Sequence, residues 1–141
     1  MHFVELKLCE KIGSVLEECN QLVGDSLLLL RTWLGSETYD RILDGDVSLF
    51  SQAKSYIIRT FMKEGKQQFE AGKSDRMFSD DALFWLGYLI TYWCLEYQES
   101  AKNILKNYDL ENMLYSYETL HTISVKAAID KIKEDYFYGK N

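Results

Sequence analysis

The chain has 141 residues, of which 47% are apolar and 14% aromatic, so it holds enough apolar material for the core of one ordinary domain. This composition argues against disorder, and the absence of proline is typical of a helical chain. The net charge is −6, yet residues 47–79 carry six basic and three acidic side chains. This cationic middle is either an ordinary solvent face or a surface that docks an acidic partner.

Cysteine usage and hydropathy indicate a soluble cytoplasmic protein. The three cysteines show no C-x-x-C spacing, and an odd number of them in a chain with a large core fits a reducing compartment. Glu5 and Glu10 interrupt the N-terminal apolar residues, unlike a secretion signal. The longest apolar run, 82–95, is shorter than the roughly 20 residues that a membrane helix needs. We therefore expect no membrane span.

The first half of the chain predicts four helices. Apolar residues at steps of three and four mark an amphipathic helix over 4–23, and a short apolar helix follows over 27–34. A helical turn over 36–45 and a helix over 46–69 complete this half. Glycines end the first three, and capping residues precede the last three at Asp25, Ser36 and Asp46.

A loop over 70–79, which lacks any sustained period, is the best internal boundary, and the second half is again helical. It predicts an aromatic helix over 80–97 and shorter helices over 101–108, 110–120 and 125–136. The capping residues here are Ser79, Asp109 and Ser124. The expected fold is an all-α bundle of six to eight helices in a single domain, 1–141, around the aromatic helix.

The aromatic helix has two interpretations. Its rings are Phe84, Trp85, Tyr88, Tyr92, Trp93 and Tyr97. A helix that is apolar nearly all round belongs in a core, whereas exposed tryptophan and tyrosine dominate binding energy at interfaces. Tyr88 and Tyr92 are four residues apart and share a face. Because one helix cannot turn every side inward in so small a protein, we expect some tyrosine hydroxyls to reach the surface.

Catalysis and nucleic-acid binding have little support in the sequence. No histidine pair, metal-ligand spacing or glycine-rich phosphate loop is present, so we expect no enzyme activity, metal or cofactor. Residues 100–121 can be read as a helix–turn–helix, but its second helix has no lysine or arginine to meet phosphates. A dimeric DNA-binding regulator would instead need one basic face built from Lys54, Arg59, Lys63 and Lys66.

Several segments resemble an uncharacterised family of small bacterial proteins. They are 79–88, 92–93, 99–102, 120–122 and 127–130, together with Tyr39-Asp40-Arg41 in the first half. Members of that family are often encoded beside toxins that resemble ADP-ribosyltransferases. The resemblance implies an antitoxin-like or accessory component of a toxin–antitoxin locus. The chain departs from the family at Thr91, where a basic residue is usual, and at Cys94, where histidine is usual.

The leading hypothesis is a non-catalytic protein-interaction module whose partner is another protein, namely a toxin encoded nearby. The predicted contact residues are Tyr39, Arg41, Tyr88, Tyr92 and His121. A small helical enzyme or nucleotide-binding module is the alternative, and it would require a polar pocket shared by Arg41 and His121. The dimeric DNA-binding regulator is a second alternative, and the sequence leaves open whether the chain forms a homodimer.

Overall fold

Eleven helices make up the secondary structure of residues 3–72 and 74–139, the part of the chain that this computed structural model describes. They are α1 (Phe3–Val23), α2 (Ser26–Leu34), α3 (Glu37–Leu43), α4 (Val47–Phe50), α5 (Lys54–Glu64), α6 (Lys66–Ala71), α7 (Asp80–Tyr97), α8 (Ala101–Asn107), α9 (Leu110–Tyr115), α10 (Tyr117–Leu120) and α11 (Val125–Gly139). The all-α prediction is confirmed. The number of helices exceeds the expected six to eight because two predicted helices are divided.

The most extensive helix–helix contact joins α1 to α7, and two glycines allow the backbones to approach closely. A Cβ atom on Gly13 would lie 2.8 Å from the Phe84 carbonyl oxygen. A Cβ atom on Gly87 would lie 3.3 Å from the Gly13 Cα. Carbon atoms in ordinary contact are about 3.5–4.0 Å apart, so the helices pack at this distance only because both side chains are absent.

The buried face of α7 is mainly aliphatic. Leu83, Leu86 and Ile90 are buried, and among the six aromatic residues of this helix only Trp93 is fully buried. The large aromatic side chains deepest in the core come mostly from other helices, namely Trp33, Tyr39 and Phe61. Their rings pack together, with the Trp33 centroid 4.8 Å from each of the other two.

The predicted helix over 46–69 is three helices, α4, α5 and α6. Asp46 caps α4 as expected, because its carboxylate accepts a hydrogen bond from the Ser48 amide. Lys11 of α1 then donates to the carbonyl oxygen of Phe50, the last residue of α4, and to that of Gln52 just beyond it. A lysine from another part of the chain thus hydrogen-bonds to carbonyl oxygens at the C-terminal end of α4. The local sequence does not predict this contact.

The loop predicted over 70–79 is shorter in the structure, because α6 continues to Ala71. Hydrogen bonds hold part of its described residues, 72 and 74–79, against the start of α2. The buried Asp25 carboxylate accepts from Ser74 Oγ at 2.6 Å and from the Asp75 amide at 3.2 Å, besides capping α2 through Leu28. Burial opposes ionisation of Asp25, but these hydrogen bonds outweigh it and lower its pKa. Asp75 adopts a left-handed φ of 57° here, which an aspartate tolerates better than most residues.

No helix within 3–72 or 74–139 is both long enough and apolar enough to cross a lipid bilayer.

Candidate aromatic binding surface

The outward face of α7 carries a row of partly buried aromatic rings. Trp85, Tyr88 and Tyr92 follow one another at steps of three and four residues, which places them on one side of the helix. The residues buried against α1 and the other helices lie on the opposite side. At 100° per residue, the three rings occupy the middle of the arc of α7 that faces away from the core.

Two side chains from α10 and its C-terminal end extend this row. The Trp85 and Tyr117 rings meet edge to face, with centroids 5.7 Å apart and an interplanar angle of 67°. His121 stacks on Tyr117 at 4.4 Å and 21°, and its Nδ1 donates to the Tyr117 carbonyl oxygen at 2.6 Å. We call the group formed by Trp85, Tyr88, Tyr92, Tyr117 and His121 the aromatic surface.

Burial, with smaller effects of nearby charges, raises the pKa of the tyrosines in the aromatic surface. Burial is the main cause that raises the pKa of Tyr88, and Glu10 of α1 contributes. Burial and Glu96 raise the pKa of Tyr92, whereas Lys126 has the opposite effect. The hydroxyls of Tyr88 and Tyr92 therefore stay protonated at neutral pH, so these tyrosines are available as hydrogen-bond donors and not as bases.

Three of the five predicted contact residues, Tyr88, Tyr92 and His121, belong to the aromatic surface. Tyr39 lies elsewhere and is completely buried. Its hydroxyl is 2.7 Å from Thr91 Oγ1, which in turn donates to the Gly87 carbonyl oxygen at 2.8 Å. The Tyr39 side chain is thus part of the core and offers no atom to a partner in this conformation.

Arg41 is exposed, but it has a local partner. Its Nε donates to Asp46 Oδ2 at 2.8 Å, and a hydrogen bond from this guanidinium also reaches Ser48. The bond to Asp46 is the main cause that raises the Arg41 pKa. The structure records no contact between Arg41 and His121 among the described residues, and therefore gives no sign of a polar pocket shared by the two.

The basic residues considered for DNA binding do not share one face. Lys54 turns toward α1, where it pairs with Glu18 at 3.1 Å and donates to Ser14. Arg59 and Lys63 are exposed on the side of α5 opposite to its buried Ile57 and Phe61. This leaves a smaller cationic area than the sequence pattern suggested.

The cysteines are poorly placed for chemistry. Cys9, Cys19 and Cys94 are free and buried, and burial raises the pKa of each thiol to about 12. A thiol with so high a pKa is protonated at neutral pH and is a weak nucleophile. Across 3–72 and 74–139, no three His, Cys, Asp or Glu side chains are grouped so that they could hold a metal ion.

Sequence reasoning missed Trp85 and Tyr117 as surface residues. Trp85 was not among the predicted contact residues, although its spacing from Tyr88 and Tyr92 already placed all three on one face. Tyr117 lies in the helix predicted over 110–120 and was not singled out as a contact residue. That helix is divided at Ser116 into α9 and α10, which leaves Tyr117 at the start of a new helix beside Trp85.

Comparisons of the chain with protein-family models, with curated proteins and with solved structures gave no match.

Proposed function

We propose that the protein is a non-catalytic interaction module that binds another protein through the aromatic surface. The position of Trp85, Tyr88 and Tyr92 on the outward arc of α7 is the observation that carries this proposal. Tryptophan and tyrosine supply a large share of binding energy at protein interfaces. Rings that are already packed against neighbours, as Trp85 is against Tyr117, lose little conformational freedom when a partner covers them.

We propose further that the partner is a toxin, so that this protein is the antitoxin-like or accessory component of a bacterial toxin–antitoxin locus. This part of the proposal follows from the family resemblance of residues 79–130 and not from the geometry. The aromatic surface contributes the means of binding, since a protein that covers a toxin's functional surface can neutralise it without any chemistry of its own.

The test is co-expression with the product of the adjacent gene, with growth rescue and co-purification as readouts. Wild-type protein is expected to restore growth and to co-purify with the toxin. The triple variant W85A/Y88A/Y92A is expected to lose both properties, because removing one well-packed interface aromatic costs about 2 kcal/mol, or roughly thirtyfold in affinity. If circular dichroism shows that the triple variant does not fold, the double variant Y88A/Y92A replaces it.

A matched control is the variant L22A/V47A, which removes two apolar side chains that are 59% and 63% exposed outside the aromatic surface. It should behave like the wild type. Absence of both complex and rescue for the wild-type protein would overturn the proposal, as would equal losses in the control and triple variants. A wild-type homodimer that the triple variant breaks would assign the surface to a second copy of this chain instead.

A further inference from the structure

Carboxylates stand at both ends of the aromatic row on α7. Asp81 precedes Trp85 by four residues and Glu96 follows Tyr92 by four, so each acidic side chain neighbours a ring on the same face. Both Asp81 and Glu96 are exposed. At 1.5 Å per residue, the stripe from the first carboxylate to the last is about 22 Å long. Along this stripe a carboxylate comes first, the aromatic rings follow, and a second carboxylate comes last.

One further carboxylate, that of Glu118, borders the α10 side of the surface. Glu118 directly follows Tyr117 and lines the same cavity. Burial, then Asp81 and Glu118, raise the pKa of Tyr117. Neither Asp81 nor Glu118 forms an ion pair within the described part of the chain. In the part of the chain that the structure describes, the charged groups that shift the pKa of Tyr88, Tyr92 and Tyr117 are four carboxylates (Glu10, Asp81, Glu96 and Glu118) and one cation, Lys126. The surroundings are thus strongly biased toward negative charge.

The same helix already holds a cation over its rings at its C-terminal end. Lys133 of α11 places its Nζ 3.9 Å from the centroid of the Tyr97 ring and 5.4 Å from that of Trp93. Both distances fall within the range in which an ammonium is attracted to the face of an aromatic ring. Nearer the N-terminus of the same helix, Trp85 and Tyr88 are partly exposed.

We propose that the partner segment bound by the aromatic surface is basic. Its arginine or lysine side chains lie over the rings of Trp85 and Tyr88 and pair with the carboxylates of Asp81 and Glu118. The inference rests on the proposed function, because it names the chemistry of the partner at that same surface. A nucleic acid is excluded as occupant, since its phosphates would meet carboxylates, and an acidic protein segment is excluded for the same reason.

Tryptophan fluorescence offers a direct readout of this surface. The chain has three tryptophans, and Trp33 and Trp93 are only 1% and 0% exposed. Trp85 is thus the one that a bound peptide can reach. We would titrate the full-length protein with an arginine-rich helical peptide, with an otherwise identical glutamine-rich peptide and with a glutamate-rich peptide. Fluorescence anisotropy of a dye on each peptide would report binding independently.

The expected result is binding of the arginine-rich peptide alone, with a change in tryptophan emission that disappears in W85F although this variant still binds. The variant D81N/E118Q should weaken binding about tenfold at low salt, and less at about 0.15 M salt, because exposed ion pairs are screened. A control variant, E70Q/E134Q, removes the same charge from exposed sites on α6 and α11 and should bind like the wild type.

Three outcomes would overturn the inference. They are no binding of the arginine-rich peptide, binding without any change in tryptophan emission, and equal weakening by D81N/E118Q and E70Q/E134Q. These failures are distinguishable from failure of the proposed function. If the toxin still co-purifies in a manner that depends on Trp85 but the arginine-rich peptide does not bind, only the basic character of the partner is wrong.

Discussion

Replacing Gly13 by alanine tests whether the close approach of α1 and α7 limits stability. The new Cβ would lie 2.8 Å from the Phe84 carbonyl oxygen and 3.1 Å from a carbon of its ring. Because the nearest atom belongs to the backbone of the opposing helix, the contact can be relieved only by moving α1 and α7 apart. Overpacking of this kind costs about 1–3 kcal/mol, whereas the higher helix propensity of alanine returns at most about 1 kcal/mol.

We therefore expect Gly13→Ala to destabilise the protein by about 1–2 kcal/mol, measured by urea unfolding followed by circular dichroism. In thermal unfolding, this corresponds to a fall of about 3–6 °C in Tm for a domain of this size. Gly87→Ala should cost less, because its tightest contact, at 2.9 Å, is with the Leu16 Cδ1 methyl group, which can rotate away.

The matched control is Gly72→Ala, at an exposed position where a Cβ atom would meet nothing within 4 Å and φ is −151°. It should be neutral or slightly stabilising, because it reduces the freedom of the unfolded chain. The reasoning would be refuted if Gly13→Ala were as stable as the wild type, or if the control lost as much stability.

Three further predictions concern buried groups. Hydrogen bonds hold the pKa of Asp25 below its unfolded value near 4, so the stabilisation it gives is present at neutral pH and is lost as the pH falls through the lower folded value. We expect Asp25→Asn to be about 1–3 kcal/mol less stable than the wild type at pH 7. Urea unfolding should find this gap narrowed at a pH well below 4. A persistent gap at that pH would contradict this. In the same assay, Thr91→Val should lower the free energy of unfolding by about 1–3 kcal/mol and Tyr39→Phe by about 1 kcal/mol. The first variant costs more because it leaves the buried Tyr39 hydroxyl without its partner. The reverse order would count against the hydrogen bond. All three cysteines should resist a thiol reagent in the native protein and react after unfolding, and fast native labelling would show that the core opens.

Local sequence signals predicted the helix starts well. Asp25, Ser36, Ser79 and Asp109 were expected caps, and each side chain accepts a backbone amide hydrogen bond at the predicted helix. The glycine ends were also confirmed, since Gly24 takes a positive φ of 71° directly after α1. A cap depends only on residues within one turn of each other, and a single sequence contains that information in full.

What the sequence could not show depends on contacts between distant residues. Glu64 of α5 accepts hydrogen bonds from the amides of Glu37 at 2.6 Å and Thr38 at 3.0 Å, and thus gives α3 a second cap from another helix. The burial of Tyr39 has the same origin, because its hydroxyl is satisfied by Thr91, 52 positions away. The sequence analysis named Tyr39 as a contact residue, whereas the packing of α3 against α7 removes it from the surface.

The pairing of α1 with α7 also has a consequence for how the chain is synthesised. Residues 24–79 lie between these helices, so the apolar stripe of α1 is made well before the helix that covers most of it. At about 5–20 residues per second, the ribosome needs several seconds to complete α7. During that interval, Ile12, Val15 and Leu16 lack their main cover, and such transiently exposed apolar surface is what chaperones recognise. An N-terminal fragment that stops before α7 should accordingly be prone to aggregation in the cell.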